Sequence, residues 1–346
     1  MTAAKVRLVL LGCGEITKTQ HLPAALSHPQ VEIVALVDSN LELAEIVVRD
    51  FQLSCSCAAD IHSVLDNADA VLNALPNALH ARTTLEILRR GKHVLCEKPL
   101  ATTSSDARAC AQLAQENELV LAVGMNRRFD SSHDVLHSLL RAQQLGHLRS
   151  YVWQYGGEFE WKSASGFYFS RELAGGGVLM DFGVHLLDSL TDWFGPITSV
   201  QYQDDDWGGG IEANCILDLR HEGTYSTIAG RVQLSRTVQL RNRLLVLGEH
   251  ADAEIRVGES DAVFVHRLLG DRKITEAVTF EEQTRKSSFL KQLDNFVKSI
   301  ATKQTPAVDG EQAARTLEII EWCYANRARI PEPWSDSDSA RTPAVA

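Results

Sequence analysis

The chain has 346 residues, 45% of them apolar and 23% charged, with a formal net charge of −11. That balance describes an ordinary soluble globular protein long enough for two domains, and the acidic surplus argues against nucleic acid and against an anionic membrane surface as partners. No apolar run approaches the length of a bilayer-spanning helix, and Met1-Thr2-Ala3-Ala4-Lys5 leads into a strand without a signal-peptide pattern.

The first half alternates strand and helix signals. Apolar runs sit at Val6–Leu11, Glu32–Val37, Ala70–Leu75, His93–Cys96 and Leu119–Val123, with a weaker one at Leu53–Cys57. Helical stretches fill the gaps around Lys18–Ser27, Leu41–Asp50, Leu79–Arg90 and Ser104–Glu116. Strands alternating with helices predict a parallel sheet covered on both faces. After Gly124 the texture changes. Val200–Gln203, Asn214–Asp218, Tyr225–Ser235, Val238–Val246, Glu254–Val257 and Ala262–His266 read as strands, with turns at His221-Glu222-Gly223 and Leu269-Gly270-Asp271. No helix between them is long enough for parallel crossovers, so this second sheet is expected to be mostly antiparallel. Helices close the chain near Ser287–Thr302 and Gly310–Asn326, and the Ser/Asp/Ala/Pro-rich end is expected to be disordered. The fold class that follows is a parallel-sheet α/β domain over 1–126 plus an α+β domain over 127–334 with a mostly antiparallel open sheet, then a tail over 335–346. Seven cysteines, odd in number and mostly in apolar surroundings, read as reduced thiols of a cytoplasmic protein. Cys55-x-Cys57 lacks the spacing and the second pair of a zinc site, so no metal is expected.

Gly12-Cys13-Gly14-Glu15-Ile16-Thr17 follows an apolar strand and opens a helix. Gly12 permits a tight turn, Gly14 lets backbone approach a pyrophosphate, and the helix N-terminus meets the negative charge. Thr17 stands where the dinucleotide fingerprint has a third Gly or Ala. Asp38, 21 positions further on, ends the second strand, where a carboxylate accepts hydrogen bonds from the adenosine ribose. It would repel a 2′-phosphate, and Ser39-Asn40 supply no cation to hold one, so NAD is favoured over NADP. The plain alternative is a Gly-rich turn with no ligand; the distance to Asp38 and the βαβ context count against it.

Glu97-Lys98-Pro99 lies just past the C-terminal end of a buried strand, where open α/β sheets bind their ligands. A solvated lysine at a strand end is the plain alternative. Farther on, Gly175-Gly176-Gly177 precedes a predicted helix from Val178 to Phe194 that stops at Gly195-Pro196. Asp181 and His185 are four apart on one face, continued by Asp188 and Asp192, and nearly everything else on the helix is apolar. Periodicity alone favours a stripe facing water. The three glycines carry a backbone-entropy cost and point instead to close packing against something, a ligand included. A lysine, an aspartate and a histidine are the groups needed to take a proton off an alcohol as a hydride leaves its carbon.

With these residues the chain resembles the Gfo/Idh/MocA oxidoreductase family over nearly its whole length. The motifs that carry the resemblance are Glu97-Lys98-Pro99; Gly175–Gly177 with Asp181, Gly183, His185 and Asp188; Pro76, Asn77 and His80 after the fourth strand; and Arg128-Phe129 after the sixth. Thr17 is the departure. The resemblance implies a Rossmann domain followed by an open sheet used for oligomer contacts, in a homodimer or homotetramer. It also implies a nicotinamide cofactor, a sugar, polyol or related substrate, and a cis peptide before Pro99. It implies catalysis by Lys98, Asp181 and His185. Cofactor contacts would come from Gly12, Gly14, Glu15, Ile16, Asp38, Ser39, Pro76, Asn77, His80, Glu97, Lys98 and Asn126. Substrate contacts would come from Arg128, Trp161, Tyr168, Asp181 and His185. Trp161, Phe167 and Tyr168 stack on a sugar face in this reading and are ordinary core or interface aromatics in the other. His185 is the general base of oxidation and the general acid of reduction, Lys98 stabilises the alkoxide, and Asp181 orients or charge-couples to the pair. The function expected is hydride transfer between a nicotinamide and a secondary alcohol or ketone. The rivals are an NAD-dependent glycosidase working by transient oxidation and elimination, and a non-catalytic dinucleotide-sensing regulator, against which the intact lysine, aspartate and histidine argue.

Overall fold

Six short apolar runs pair into one parallel sheet. In the computed structural model, which describes residues 5–158, 166–206, 211–223, 227–257, 262–269, 272–279 and 287–330, these are β1 (Val6–Leu11), β2 (Val31–Val37), β3 (Ser56–Ala58), β4 (Ala70–Asn73), β5 (His93–Glu97) and β6 (Leu121–Gly124). Their order is β3-β2-β1-β4-β5-β6, with every pair parallel. The order reverses between β1 and β4, the switch point where such sheets bind ligands. Helices Leu41–Asp50, Asn77–Arg89 and Ser104–Glu116 fall where the apolar spacing puts them. The stretch after the first strand is a π turn, Thr17–His21, running into the helix Leu22–Ser27.

The chain divides into two units, and the first takes in more than the segment before residue 126. Met1–Asn126, Lys162–Gly175 and Lys286–Glu318 belong to it. The division expected from the change in texture was a single cut at 126/127. The helix Ser288–Thr302 explains part of the difference: Leu293, Phe296 and Val297 enter the cluster formed by Leu8, Leu10, Leu22 and Leu36. Burying Phe296 completely contributes about 1.5–3 kcal/mol to holding that helix on the first unit.

The second unit is built on nine strands: β7 (Leu148–Gly156), β8 (Ile197–Asp204), β9 (Asn214–Glu222), β10 (Thr227–Ser235), β11 (Arg243–Gly248), β12 (Asp252–Arg256), β13 (Ala262–Leu269), β14 (Arg272–Thr279) and β15 (Ala328–Arg329). They lie in the order β14-β13-β12-β11-β7-β10-β9-β8-β15. Six neighbouring pairs are antiparallel; β7 with β10 and β15 with β8 are parallel. The antiparallel expectation therefore holds for most of the sheet. The run read as a strand over Val238–Val246 pairs only from Arg243, and the strand expected from Leu53 begins at Ser56. Tyr225, the turn residues Gly270 and Asp271, and the tail over 335–346 lie outside the described residues. The core side of the sheet is aromatic. Tyr151 is fully buried and stacks on Phe194 with ring centroids 5.1 Å apart. Its hydroxyl donates to His221 Nε2 at 2.8 Å, while His221 Nδ1 donates to the Gly195 carbonyl at 2.9 Å. Burial pushes the His221 pKa down to about 4, so the ring is neutral, as one donor and one acceptor nitrogen require. All seven cysteines are free. Among the described residues no helix is long and apolar enough to cross a membrane.

Candidate active site

The dinucleotide turn is held together by its own residues. Gly12 has φ +94°, and a Cβ there would lie 2.6 Å from the Ala74 carbonyl oxygen, so only glycine fits. A Cβ at Gly14 would meet nothing within 4 Å, leaving the backbone open for a pyrophosphate. Thr17 is buried, and its hydroxyl donates to the Gly12 carbonyl at 2.7 Å. The departure from the fingerprint thus closes the turn with a hydrogen bond. Glu15 pairs with Lys18 at the exposed start of the helix, next to Ile16. Asp38 accepts the Cys13 N–H at 2.9 Å through one oxygen and the Asn40 N–H at 2.9 Å through the other. A carboxylate has about four acceptor sites, so capacity for ribose hydroxyls remains. Ser39 beside it is exposed.

The other cofactor candidates of the first unit surround the end of β5. His80 is buried, with Nδ1 2.7 Å from the Pro99 carbonyl and Nε2 2.6 Å from that of Leu75. Burial holds its pKa below the ordinary value against the pull of the two carbonyls and Glu97. His80 therefore sits between the loop containing Pro76 and the Lys98–Pro99 segment, whose peptide bond is cis, and as a neutral ring donates to one of the two carbonyls. Asn77 donates to the Ala174 carbonyl at 2.9 Å, fastening the start of its helix to the short helix Arg171–Ala174. Asn126 donates to Ser288 Oγ at 3.3 Å. Lys98 is half-buried, and its N–H donates to Glu97 Oε2 at 3.0 Å. The Tyr168 ring lies tilted by 31° against that of Phe167 with centroids 4.0 Å apart, and Phe169 is 66% exposed. Trp161 lies outside the described residues.

In the second unit the helix expected over 178–194 is a π turn, Leu179–Gly183, continued by an α-helix, Val184–Phe194. Its polar stripe does not face water. Asp181 is 8% exposed, His185 7% and Asp188 4%. Asp181 Oδ2 accepts from the Arg236 guanidinium at 2.9 Å, and that arginine is buried as well. Arg236 was not singled out by sequence reading; its only signal is a cation just past the strand β10. Arg128, expected at the substrate, has its guanidinium against this helix: Nε is 2.9 Å from Asp188 Oδ2, and Nη1 pairs with Asp192. Burial pushes the Asp188 pKa up to about 6 despite the Arg128 charge.

Asp192 also lies 2.9 Å from His133 Nε2, and His133 stacks on Trp193 with centroids 4.6 Å apart. Burial first, then the Arg128 and His137 charges, push the His133 pKa down to about 3; Asp192 pulls the other way but is already paired with Arg128. The folded pKa thus lies below the ordinary 6.5, and protonation is resisted more in the folded than in the unfolded chain. The contribution of neutral His133 is complete above pH 6.5 and is lost as pH falls toward 3. Calorimetric melting at pH 7, 5.5 and 4 should show a shallower loss of Tm for His133→Gln than for wild type; equal slopes would exclude the assignment.

Two of the three glycines before the helix pack against protein, and the first ends the preceding helix. Gly175 (φ +81°) ends the helix Arg171–Ala174. A Cβ on Gly176 would lie 2.1 Å from the Tyr324 hydroxyl, and one on Gly177 2.0 Å from the Glu212 carbonyl oxygen. The fully buried Glu212 receives the helix start: its carboxylate accepts from Gly177 N–H at 3.1 Å, from Leu179 N–H at 2.9 Å and from Tyr324 at 2.9 Å. Burial raises its pKa, while these donors at the positive end of the helix pull it down. Glu212 and Tyr324 were likewise missed, because nothing near them in the chain marks them as a cap for residues 35 and 147 positions before them.

Two family models match the chain. One, described as an oxidoreductase family with an NAD-binding Rossmann fold, covers residues 6–125, and the GFO/IDH/MocA C-terminal domain covers 133–254. The chain belongs to the GFO/IDH/MocA oxidoreductase family. A dTDP-3,4-didehydro-2,6-dideoxy-alpha-D-glucose 3-reductase of Saccharopolyspora spinosa is 31% identical over 56% of this chain and 58% of its own length. The first curated relatives it matches are spanned over little more than half their length. A reductase of the same description from Actinomadura kijaniata is 27% identical over 89% of this chain and 90% of its own. Among solved structures, a levoglucosan dehydrogenase in complex with NADH and levoglucosan superposes with a TM-score of 0.84 at 20% identity, covering 93% of this chain and 96% of that one. That likeness establishes the family fold for both sheets.

Proposed function

We propose that this family member transfers a hydride between NAD and a secondary alcohol or ketone carbon of a sugar, polyol or related small molecule, as a homodimer or homotetramer. The observation that carries the reading is the helix Val184–Phe194 with its preceding turn: a mostly apolar segment buries Asp181 and His185, and a buried arginine meets the aspartate. Folding tolerates such groups out of water chiefly where they are paired and used. The relatives that act, by their descriptions, at a keto carbon of a sugar ring support the substrate class.

In this reading the first unit holds the cofactor through Gly12, Gly14, Glu15, Ile16 and Asp38, with Pro76, Asn77 and Asn126 nearer the reacting end. The open Cβ position at Gly14 and the half-exposed carboxylate of Asp38 fit a pyrophosphate and a ribose. The cofactor, when bound, supplies the acceptor or donor of the hydride. His185 takes the hydroxyl proton as the carbon loses its hydride and returns it in reduction. The Lys98 ammonium stabilises the alkoxide that develops on the oxygen. Asp181, charge-balanced by Arg236, orients this pair. Tyr168 lies along the sugar.

Asp38, followed in the chain by Ser39 and Asn40 and not by a cation, supports NAD over NADP, since a 2′-phosphate would meet a carboxylate. Calorimetric titration should give at least about tenfold tighter binding of NADH than NADPH, a difference of ~1.4 kcal/mol. Equal or tighter NADPH binding ends the specificity claim. A screen of sugars, inositols and nucleotide sugars with both cofactors tests the reaction: one NADH per oxidised substrate is expected. Steady aryl alcohol release from aryl glycosides at trace NAD, with flat NADH absorbance, would instead establish the glycosidase.

A further inference from the structure

His21 has no part in the chemistry above, yet it sits in the first unit at the junction of two of its parts. It ends the π turn that follows the dinucleotide turn and is 2% exposed, with Phe289 edge-on to its ring at 5.1 Å. Its Nε2 lies 2.7 Å from Glu97 Oε1. Glu97 is buried too, and its other oxygen, Oε2, accepts the N–H of Lys98 at 3.0 Å. One carboxylate therefore joins the helix of the first βα connection to the backbone of Lys98. The sheet leaves room for it: a Cβ on Gly124, the neighbour of Glu97 in β6, would lie 3.0 Å from Glu97 Cα and 3.1 Å from Oε2.

A buried pair of this kind is a weak source of net stability, because desolvation cancels most of the attraction. What it supplies is direction. The Lys98 ammonium rides on a flexible four-carbon stem, so its position depends on how firmly its backbone is held. Burial works to raise the Glu97 pKa, but the hydrogen bond from His21, helped by Lys98, holds it below the ordinary value. The carboxylate is thus ionised and able to accept from both sides at once.

We propose that His21 is a positioning residue for Lys98: through Glu97 it ties the backbone of the lysine to the helix opened by the dinucleotide turn, so that cofactor seating and placement of the ammonium are set together. The functional half of this inference rests on the reading of Lys98 as the alkoxide-stabilising group. His80, on the far side, holds the next carbonyl, that of Pro99.

The test compares His21→Ala with His21→Gln, whose side-chain amide keeps a donor at similar reach. Hydrogen exchange at the Lys98 amide is read in the cofactor-free protein, which needs no substrate. His21→Ala should speed that exchange by at least about tenfold, and His21→Gln should bring it back toward wild type. With a substrate in hand, His21→Ala should lower kcat about 10- to 100-fold with KM little changed, and His21→Gln should restore most of the loss. Unchanged exchange at Lys98 in His21→Ala overturns the proposal, as does a kcat loss that glutamine fails to restore while exchange is normal. If His21→Ala does not fold, Glu97→Gln, which weakens both bonds of the carboxylate, is read in the same way. Exchange that responds to His21 while Lys98→Ala turns over normally would uphold the tie and remove the role given to Lys98.

Discussion

Replacing Lys98 or His185 by alanine is expected to lower kcat by about a hundred- to ten-thousand-fold, the range for losing an alkoxide-stabilising or proton-transferring group. Neither substitution should disturb the frame around it. At Lys98 the main chain is held independently of the ammonium, by the Glu97 carboxylate on its N–H and by His80 on the next carbonyl. At His185 alanine is the best helix former available, and the helix start is fixed elsewhere by Glu212. NADH affinity should therefore stay within about an order of magnitude of wild type in both variants, since neither side chain is assigned to pyrophosphate or ribose. Steady-state kinetics with fluorescence titration of NADH separates the two quantities. Near-wild-type turnover in either variant would remove that residue from the mechanism. A matching loss of NADH affinity would reduce the role of Lys98 to its cofactor contact and leave the alkoxide without it.

The parts of the molecule legible in the sequence are those with a local signal. The parallel sheet is written in apolar runs of four to seven residues separated by helices, and five of its six strands were found nearly at their true bounds. The second sheet was readable only where one face is open. β7 escaped because it lies between β10 and β11, where Ser150 and Gln154 on one face are as buried as Tyr151 and Trp153 on the other, which erases the period of two. β14 escaped for the opposite reason: it is an edge strand exposed along nearly its whole length, with charged Arg272, Lys273 and Glu276 on it. The parallel pairing of β7 with β10 depends on everything folded between them, which no window of sequence contains. In the candidate site the motif residues were visible, but their partners were not. Asp181 could be named from the motif it shares with His185; Arg236, 55 residues later, could not. The same holds for His21 and Glu97, 76 residues apart. Arg128 shows the converse limit: its motif was visible, and so were Asp188 and Asp192, the two carboxylates of the helix stripe that engage it, but nothing in the spacing joined them.

The glycine run gives the sharpest contrast between a ligand and a structural role, and Gly177→Ala is expected to destabilise the second unit by about 3–5 kcal/mol, at the severe end for a single substitution. A Cβ there would stand 2.0 Å from the Glu212 carbonyl oxygen and 2.6 Å from its nitrogen, both backbone atoms. Glu212 cannot step back. Its carbonyl accepts the Val178 N–H at 2.9 Å, and its carboxylate serves the N–H groups of Gly177 and Leu179, so three successive donors at the helix start depend on its position. Moving it would strand those donors in a buried place, at a cost of about 1–3 kcal/mol for each group left unpaired. Gly176→Ala should cost less, because the atom it meets is the hydroxyl at the end of the Tyr324 side chain, which can swing away at the loss of its bond to Glu212. Thermal and denaturant melts of the two variants should therefore rank Gly177→Ala well below Gly176→Ala, and both below wild type. NADH affinity of whatever fraction remains folded should be unchanged. If Gly177→Ala instead melts like wild type and loses only the binding of a sugar substrate, the glycines are there for a ligand and the packing account is wrong.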